Sequence, residues 1–483
     1  MTLFLNENAY RYELENVVRL FFWDVDIREG APDGTCPEFV YAEIRHMEEF
    51  SHLKVTVKTS GNCTERQTEV PGCDVRENEM QFAFLVFELL SEATGKRPPF
   101  GIMTGVRPAK NFASYVENGM TEEAAENYVK ERFLLTDEKA RLCRVTAMRG
   151  LELRKKIRPR GYSLYVSIPF CPTRCSYCSF VSKSIGRERA LIPEYVDCLC
   201  RELRHTAGIV KENGLVLQTI YIGGGTPTVL EERELAKLTA CINESFGQPL
   251  DGEYCVEAGR PDTIAAGKLK VLRESGVTRI SINPQTSNDE VLRKIGRRHT
   301  ASDIERCYDI AREEGFGNIN ADFIAGLEGD TLESFRKSIA WAVERLQAES
   351  ITVHALTLKR ASFMRETESS LENGDAAGMV DFAQNYLMEC GYDPYYMYRQ
   401  KGTVGGLENT GYARKGFECL YNLFIMDEVQ SIIACGAGAV TKLLDPENGK
   451  ISRIFDLKYP QEYMARLDEM MERKNGIEDV FLH

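Results

Sequence analysis

The rhythm of apolar and polar positions changes twice along the chain. Near the N-terminus, FVYAEIRH (39–46) and LKVTVKT (53–59) alternate with a period of two, which predicts half-buried strands. MQFAFLVFELLSEATG (80–95) places its apolar residues on a helical repeat, closed by Gly95 and then by Pro98-Pro99. The turn-rich GIMTGVRP (101–108) leads into acid-rich helical sequence ending near residue 153. RKKIRPR (154–160) is dense in basic residues and is punctuated by Pro159-Arg160-Gly161, so it marks a boundary. Residues 1–153 therefore read as an α+β domain, and they carry no catalytic motif.

From residue 163 short apolar runs alternate with helical stretches. The strand candidates are SLYVSI (163–168), TIYIGG (219–224), YCVEAG (254–259), RISIN (279–283), INADFIAG (319–326) and ITVHAL (351–356). Between them lie amphipathic patterns such as IPEYVDCLCRELRHTAG (192–208) and LESFRKSIAWAVERL (332–346). In SDIERCYDIAREE (302–314), Ser302 and Glu305 stand at capping-box spacing. Repeated strand–helix alternation over 160–357 predicts parallel βα units, in an open sheet or part of a barrel. Such folds carry their chemistry in loops at the C-terminal ends of the strands. After residue 357 the alternation fades into a helix at 377–390, an aromatic, Gly-rich region at 392–416, an apolar segment and a closing helix near 460–474. Residues 358–483 thus form a C-terminal extension.

Composition narrows the class of protein. With 483 residues, 43% hydrophobic and 28% charged, the chain is long enough for two or three domains with buried cores, which excludes a disordered protein. No stretch reaches the ~20 apolar residues of a membrane span, and the N-terminal residues lack the order of a secretory signal. A net charge of -13 argues against nucleic acid as a partner while leaving room for a local basic groove. Fifteen cysteines scattered through a long chain fit a reducing cytoplasm, with most thiols acting as small buried apolar groups.

Three cysteines break that pattern. Cys171, Cys175 and Cys178 lie in FCPTRCSYC, immediately after the first strand of the alternating region. Cys171 and Cys175 are spaced to share a helical face, whereas Cys178 needs a loop to fold back. Three thiolates can hold three irons of a cubane cluster and leave one iron open. The alternatives are a zinc site or three ordinary thiols. Zinc usually requires a second CxxC or paired histidines, and neither is present among the six histidines and remaining cysteines.

This CxxxCxxC, with Tyr177 before its last cysteine, resembles the radical S-adenosylmethionine superfamily. The resemblance implies an α/β fold class, a partial parallel (β/α)6 barrel. It also implies a 4Fe-4S cluster on the three cysteines, whose open iron chelates S-adenosylmethionine and cleaves it to a 5′-deoxyadenosyl radical. After the second strand, GGGTPT (223–228) is by itself only a tight turn. At that place it resembles the superfamily's loop for the methionine amino group. Further on, YVSIPFC, VEAGRPD, NPQTSNDEVLRKIGR and DFIAGL appear in an order similar to oxygen-independent coproporphyrinogen III oxidase and its relatives. On that similarity Tyr165, Gly224, Gly225, Thr226, Glu257, Gln285, Arg297, Asp322 and Ala355 match positions that contact S-adenosylmethionine, of which those enzymes hold two molecules. GIMTGVRPAK makes the N-terminal unit similar to the extended, HemZ-type coproporphyrinogen dehydrogenases. No catalytic residue is assigned beyond the cluster and the S-adenosylmethionine site.

The pattern departs in three places. Phe180 stands where the best-known oxidases have a fourth cysteine, and Ser167 replaces a histidine. Tyr421-Asn422 followed by Ile425-Met426 replaces a His-Asn pair followed by Tyr-Trp. The family implies conversion of coproporphyrinogen III to protoporphyrinogen IX, with a flavodoxin- or ferredoxin-like electron donor and a separate electron acceptor. The alternatives are a heme-binding chaperone or a radical enzyme that methylates or opens another tetrapyrrole. A substrate with four carboxylates calls for a basic rim on an acidic protein, for which Arg154, Lys155, Lys156, Arg158 and Arg160, and separately Arg293, Lys294 and Arg298, are the candidates.

Overall fold

The computed structural model describes residues 1–478 apart from Trp23, Asp33, Thr35, Ser60, Cys73, 179–181, 358–374, 401–402 and 404–405, with Arg187 described for its backbone alone. It divides into two compact units, one of Met1–Arg144 with Arg399–Glu408 and one of Val145–Tyr398 with Asn409–His483.

The first unit is built on a five-stranded sheet in the order β2-β1-β3-β4-β5. Its strands are β1 (Thr2–Leu5), β2 (Asp26–Glu29), β3 (Phe39–His46), β4 (Phe50–Thr59) and β5 (Asn62–Pro71). Strands β3 to β5 form an antiparallel meander, and β1 runs parallel to both β2 and β3. Alternate residues Val40, Ala42 and Ile44 of β3 and Leu53, Val55 and Val57 of β4 are buried. They pack with Phe82, Val86, Phe87 and Leu90 of the helix Val75–Thr94. That helix begins five residues before the apolar repeat because the Asp74 carboxylate accepts the Arg76 amide at 2.9 Å, and it ends at Gly95 with φ 68. Strand β5, NCTERQTEVP, is almost wholly exposed, so it shows no apolar alternation to betray it.

The second unit carries the alternation read from the sequence. Strands β6 (Gly161–Ile168), β9 (Val216–Gly224), β10 (Glu253–Glu257), β11 (Arg279–Ser281), β12 (Ile319–Ala325) and β13 (Ser350–Ala355) pair in parallel in that order, with helices between them. This is the partial (β/α) barrel. Between β6 and β9, β7 (Phe170–Cys171) and β8 (Lys183–Ser184) form a two-stranded ribbon. The C-terminal extension enlarges the sheet to eleven strands by working both edges. Strand β15 (Glu408–Ala413) adds antiparallel to β13, with β14 (Asp393–Arg399) beyond it. At the other edge β16 (Ser431–Cys435) adds parallel to β6, followed antiparallel by β17 (Val440–Leu444) and β18 (Ile451–Phe455). Both edges of the parallel sheet are thereby paired rather than left open.

Two expectations are corrected. The capping box of the helix Ala301–Glu313 is formed by Thr300 and Asp303, not Ser302 and Glu305. The Thr300 hydroxyl accepts the Asp303 amide at 3.2 Å and the Asp303 carboxylate accepts the Thr300 amide at 2.7 Å. The basic run 154–160 precedes Gly161, at the N-terminal end of β6. An eight-residue strand at ~3.3 Å per residue spans roughly 26 Å, so this run lies at the far end of the sheet from the strand C-termini. There Arg154 pairs with Asp427 at 2.8 Å and Arg158 with Asp251 at 3.6 Å. Arg154 thus braces the fold, and the run, otherwise largely exposed, lies away from the mouth.

The closing helix Leu467–Lys474 is locked by a buried cation. Lys474 Nζ lies 2.8 Å from both Asp456 oxygens and 3.2 Å from Glu202 Oε1, and Tyr463 donates to Glu202 Oε2 at 2.5 Å. Removing one partner of such a set strands the others in low dielectric. Lys474→Met is expected to cost about 3–5 kcal/mol in urea denaturation; a loss below ~1 kcal/mol would show the carboxylates to be solvated.

Candidate active site

The strand β6 ends at Ile168 and the chain turns at once into the ribbon strand β7, which holds Phe170 and Cys171. Pairing with β8 commits Cys171 to extended backbone, so the expected helical face shared by Cys171 and Cys175 does not form. Residues 172–178 are a loop, closed by the Cys178 amide donating to the Cys175 carbonyl at 3.2 Å. Cys175 is buried, Cys171 and Cys178 partly so. The Thr226 hydroxyl donates to Cys171 Sγ at 3.5 Å, and Arg260 Nη1 donates to Cys175 Sγ at 3.6 Å. Among the described residues no three His, Cys, Asp or Glu side chains close around a single metal ion. Phe180 lies outside the described residues.

The glycine loop sits on the cysteine loop backbone to backbone. Gly225 donates its amide to Ile168 O and Thr226 to Phe170 O, both at 2.7 Å. A Cβ at Gly225 would overlap the Phe170 carbonyl, and Gly224 has φ 106, so neither position accepts a side chain. Ser167 donates to Ala437 O at 2.9 Å, where a small side chain suits the close approach of Gly224 and Gly436.

Tyr165, Glu257, Asp322 and His354 are partly exposed on otherwise largely buried strands. They form a polar layer over the sheet. Tyr221 donates its hydroxyl to Glu257 Oε1, and Asn283 Nδ2 donates to Glu257 Oε2 at 3.1 Å. Burial, and then the charge of Asp322, push the Glu257 carboxyl up to about 7. Burial works to raise Asp322 too, but the bond and charge of His354 outweigh it and lower that carboxyl. His354 Nε2 lies 3.8 Å from Asp322 Oδ2, and its Nδ1 faces Asn409 Oδ1 at 3.3 Å. Tyr421, where the family carries histidine, stacks on Tyr221 with ring centroids 4.4 Å apart and on Tyr165 at 6.1 Å.

Arg297 is buried behind this layer. Its Nη1 donates to Asn283 O at 2.7 Å and to Gly259 O at 3.3 Å, and its Nη2 to the Tyr177 hydroxyl at 3.2 Å. The Tyr177 ring packs against the apolar cluster of Val291, Leu292, Ile295, Ile324, Leu327 and Leu356. Gln285 takes φ 71, in the left-handed region, held by its amide on Asp322 O at 2.8 Å and its carbonyl on Ile324 N at 3.1 Å. Ala355 ends β13 opposite Ala325. The structure thus links Cys171 with Thr226, Tyr165 with the Tyr221–Glu257 pair, Asn283 with both Glu257 and Arg297, Arg297 with Tyr177, and Gln285 with Asp322. Tyr221, Asn283, Arg260 and His354 escaped the sequence reading. The one signal for them was a polar residue beside each strand end, which gains meaning only from its neighbour on the next strand.

Three buried atoms here, Asn283 Oδ1, Gln285 Oε1 and Arg297 Nε, have no hydrogen-bond partner among the described residues. Unpaired buried polar atoms are costly, and a ligand that completes them removes the cost. The model of the Radical SAM superfamily matches residues 165–342. The oxygen-independent coproporphyrinogen-III oxidase-like protein HemZ of Bacillus subtilis (strain 168) is 34% identical over 99% of this chain and 97% of its own length. This chain belongs to the radical SAM superfamily. The heme chaperone HemW of Bacillus subtilis (strain 168) is 42% identical over 41% of this chain and 51% of its own length. The solved coproporphyrinogen III oxidase HemN of Escherichia coli, a radical SAM enzyme, matches with TM-score 0.53 and 25% identity over 67% of this chain and 73% of that one. A radical SAM protein takes a 4Fe-4S cluster and S-adenosylmethionine as cofactors, and the sulfur-directed donors and unpaired polar atoms of this site fit both.

The Glu257 carboxyl gives a pH test. Its folded value of about 7 exceeds the ordinary 4.5, so the folded state binds the proton more tightly and stability falls as pH rises between these values. Denaturation of the cofactor-free protein is expected to show this decline, and Glu257→Gln to make it shallower, the remainder coming from other buried carboxyls such as Asp456, which burial pushes up to about 8. An unchanged slope in the variant would assign the decline elsewhere.

Proposed function

We propose that this protein is an oxygen-independent coproporphyrinogen III oxidase, converting coproporphyrinogen III to protoporphyrinogen IX. The observation that carries this reading is the likeness to the oxidase-like HemZ over 99% of the chain, N-terminal unit included, whereas the HemW proteins of Bacillus subtilis and Haemophilus influenzae match over 41% and 65% of the chain. In this reading Cys171, Cys175 and Cys178 hold the cluster. The backbone of Gly224 and Gly225 and the Thr226 hydroxyl receive the methionine amino group. Glu257 takes ribose hydroxyls and Arg297 a carboxylate. Tyr165, Tyr177, Gln285, Asp322 and Ala355 complete the contacts.

When bound, the cluster and S-adenosylmethionine would supply the radical chemistry that removes a hydrogen atom from the β-carbon of a propionate. Loss of CO2 and of one electron to an acceptor then leaves a vinyl group, and two propionates react in turn. The chain's own part is positioning and exclusion of water. Tyr177 and Arg297 brace the cysteine loop from one side and Thr226 from the other. The stacked Tyr165, Tyr221 and Tyr421 cover the inner face of the sheet with rings that also suit a flat macrocycle. Arg293, Lys294 and Arg298 are exposed on either side of Ile295 and Gly296, whose carbonyls bond Ser176 and Thr173 of the cysteine loop. They are the basic groups suitably placed for substrate carboxylates and for an acidic flavodoxin- or ferredoxin-like donor.

A heme chaperone is the second reading, favoured by the HemW identity within the barrel. Tyr421 fills the position of a histidine that both groups carry and is buried in the ring stack, so it weakens the chaperone reading and also takes a family residue from the oxidase reading. Anaerobic incubation of reconstituted protein with coproporphyrinogen III, S-adenosylmethionine and reductant is expected to yield vinyl product with stoichiometric CO2. Stable heme binding without turnover would instead support the chaperone, and a methylated or linear tetrapyrrole another radical reaction. Cys175→Ala is expected to lose the iron–sulfur absorbance and turnover together; retention of either contradicts the cluster assignment.

A further inference from the structure

Arg260 lies three residues past the end of β10, in VEAGRPD, and is 3% exposed. A buried guanidinium must have its donors satisfied, and these are divided between two partners. On one side Nε and Nη2 meet the Asp262 carboxylate at 3.1 and 3.2 Å. On the other side the fork grips the cysteine loop. Nη1 donates to Thr173 O at 3.4 Å and to Cys175 Sγ at 3.6 Å, and Nη2 donates to the Thr173 hydroxyl at 3.1 Å. The backbone is fixed as well, because the Thr263 hydroxyl donates to Arg260 O at 2.8 Å.

The two charges of this pair are unequally screened. The Arg260 side chain is 4% exposed and that of Asp262 28% exposed. Water therefore attenuates the carboxylate's field more than the guanidinium's at the buried sulfur. The same positive field is felt by the nearby buried His299. Burial first, and then the charges of Arg297 and Arg260, push its imidazole down to about 3. Hydrogen bonds to cluster sulfurs and nearby positive charge both stabilise the reduced, more negative cluster.

We propose that Arg260 is a positioning residue that holds the cysteine loop through Thr173 and raises the one-electron reduction potential of the cluster through Cys175 Sγ. This rests on the reading that Cys171, Cys175 and Cys178 hold a 4Fe-4S cluster. The step concerned is the gain of one electron by the oxidised cluster from a donor protein, with no proton taken up. Arg260 therefore helps set which donors can drive it.

The test is an EPR-monitored potentiometric titration of the anaerobically reconstituted full-length chain with dithionite, without S-adenosylmethionine. Arg260→Gln keeps neutral donors but loses the charge, and its midpoint is expected to fall by about 59 mV or more, a tenfold change in the reduction equilibrium. Arg260→Lys keeps the charge and is expected to recover most of that shift. Asp262→Asn removes the opposing charge and is expected to move the midpoint the other way. An Arg260→Gln cluster that assembles normally with an unchanged midpoint overturns the proposal. If Arg260→Gln assembles no cluster, the sign in Asp262→Asn decides: a rise supports the proposal, and no change or a fall overturns it. A wild-type chain that takes up no 4Fe-4S cluster would instead bring down the reading of the cysteines, and this proposal with it.

Discussion

The candidate site depends on one contact between main chains. The amides of Gly225 and Thr226 reach the carbonyls of Ile168 and Phe170, bringing the loop after the second parallel strand onto the loop after the first. Only a residue without a Cβ permits that approach at position 225. The contact places the Thr226 hydroxyl on Cys171 Sγ and orients the glycine backbone alongside the cysteines. From there the remaining groups follow strand by strand. Glu257, Asn283 and His354 enter from at or near the C-terminal ends of β10, β11 and β13, and Asp322 from the middle of β12.

The layer so formed is electrostatically uneven. Two carboxylates cannot both ionise cheaply in a partly buried space. His354 stands close to Asp322, which titrates low, while Glu257, with Tyr221 and Asn283 as neutral partners, is pushed up to about 7. The C-terminal extension supports this arrangement from outside the barrel. It contributes Tyr421 to the ring stack, and β15 next to β13 brings Asn409 to His354.

Much of this was legible in the chain itself, for reasons that differ by element. The six parallel strands are buried on both faces, so each appears as an apolar run bounded by turn residues. CxxxCxxC and GGGTPT are local, and their meaning comes from spacing and from place after a strand. The strands of the extension were not legible, because DPYYMYR and ENTGYA break their pattern with Pro and Gly, and ENTGYA pairs with β13, far back in the sequence. Asn283 and Arg260 were hidden for a different reason. Each is a polar residue at a strand end, unremarkable until Glu257 or Cys175 is set beside it by another strand. The helical face expected for Cys171 and Cys175 failed because β7 draws Cys171 into a ribbon that spacing does not announce.

The central claim is that three cysteines leave one iron of a 4Fe-4S cluster open to S-adenosylmethionine. The most direct measurement is the EPR spectrum of the reduced, reconstituted protein with and without S-adenosylmethionine. The account predicts a 4Fe-4S signal whose g-values shift on addition, because the amino acid end of the cofactor joins the open iron. A spectrum unchanged by saturating S-adenosylmethionine would contradict it.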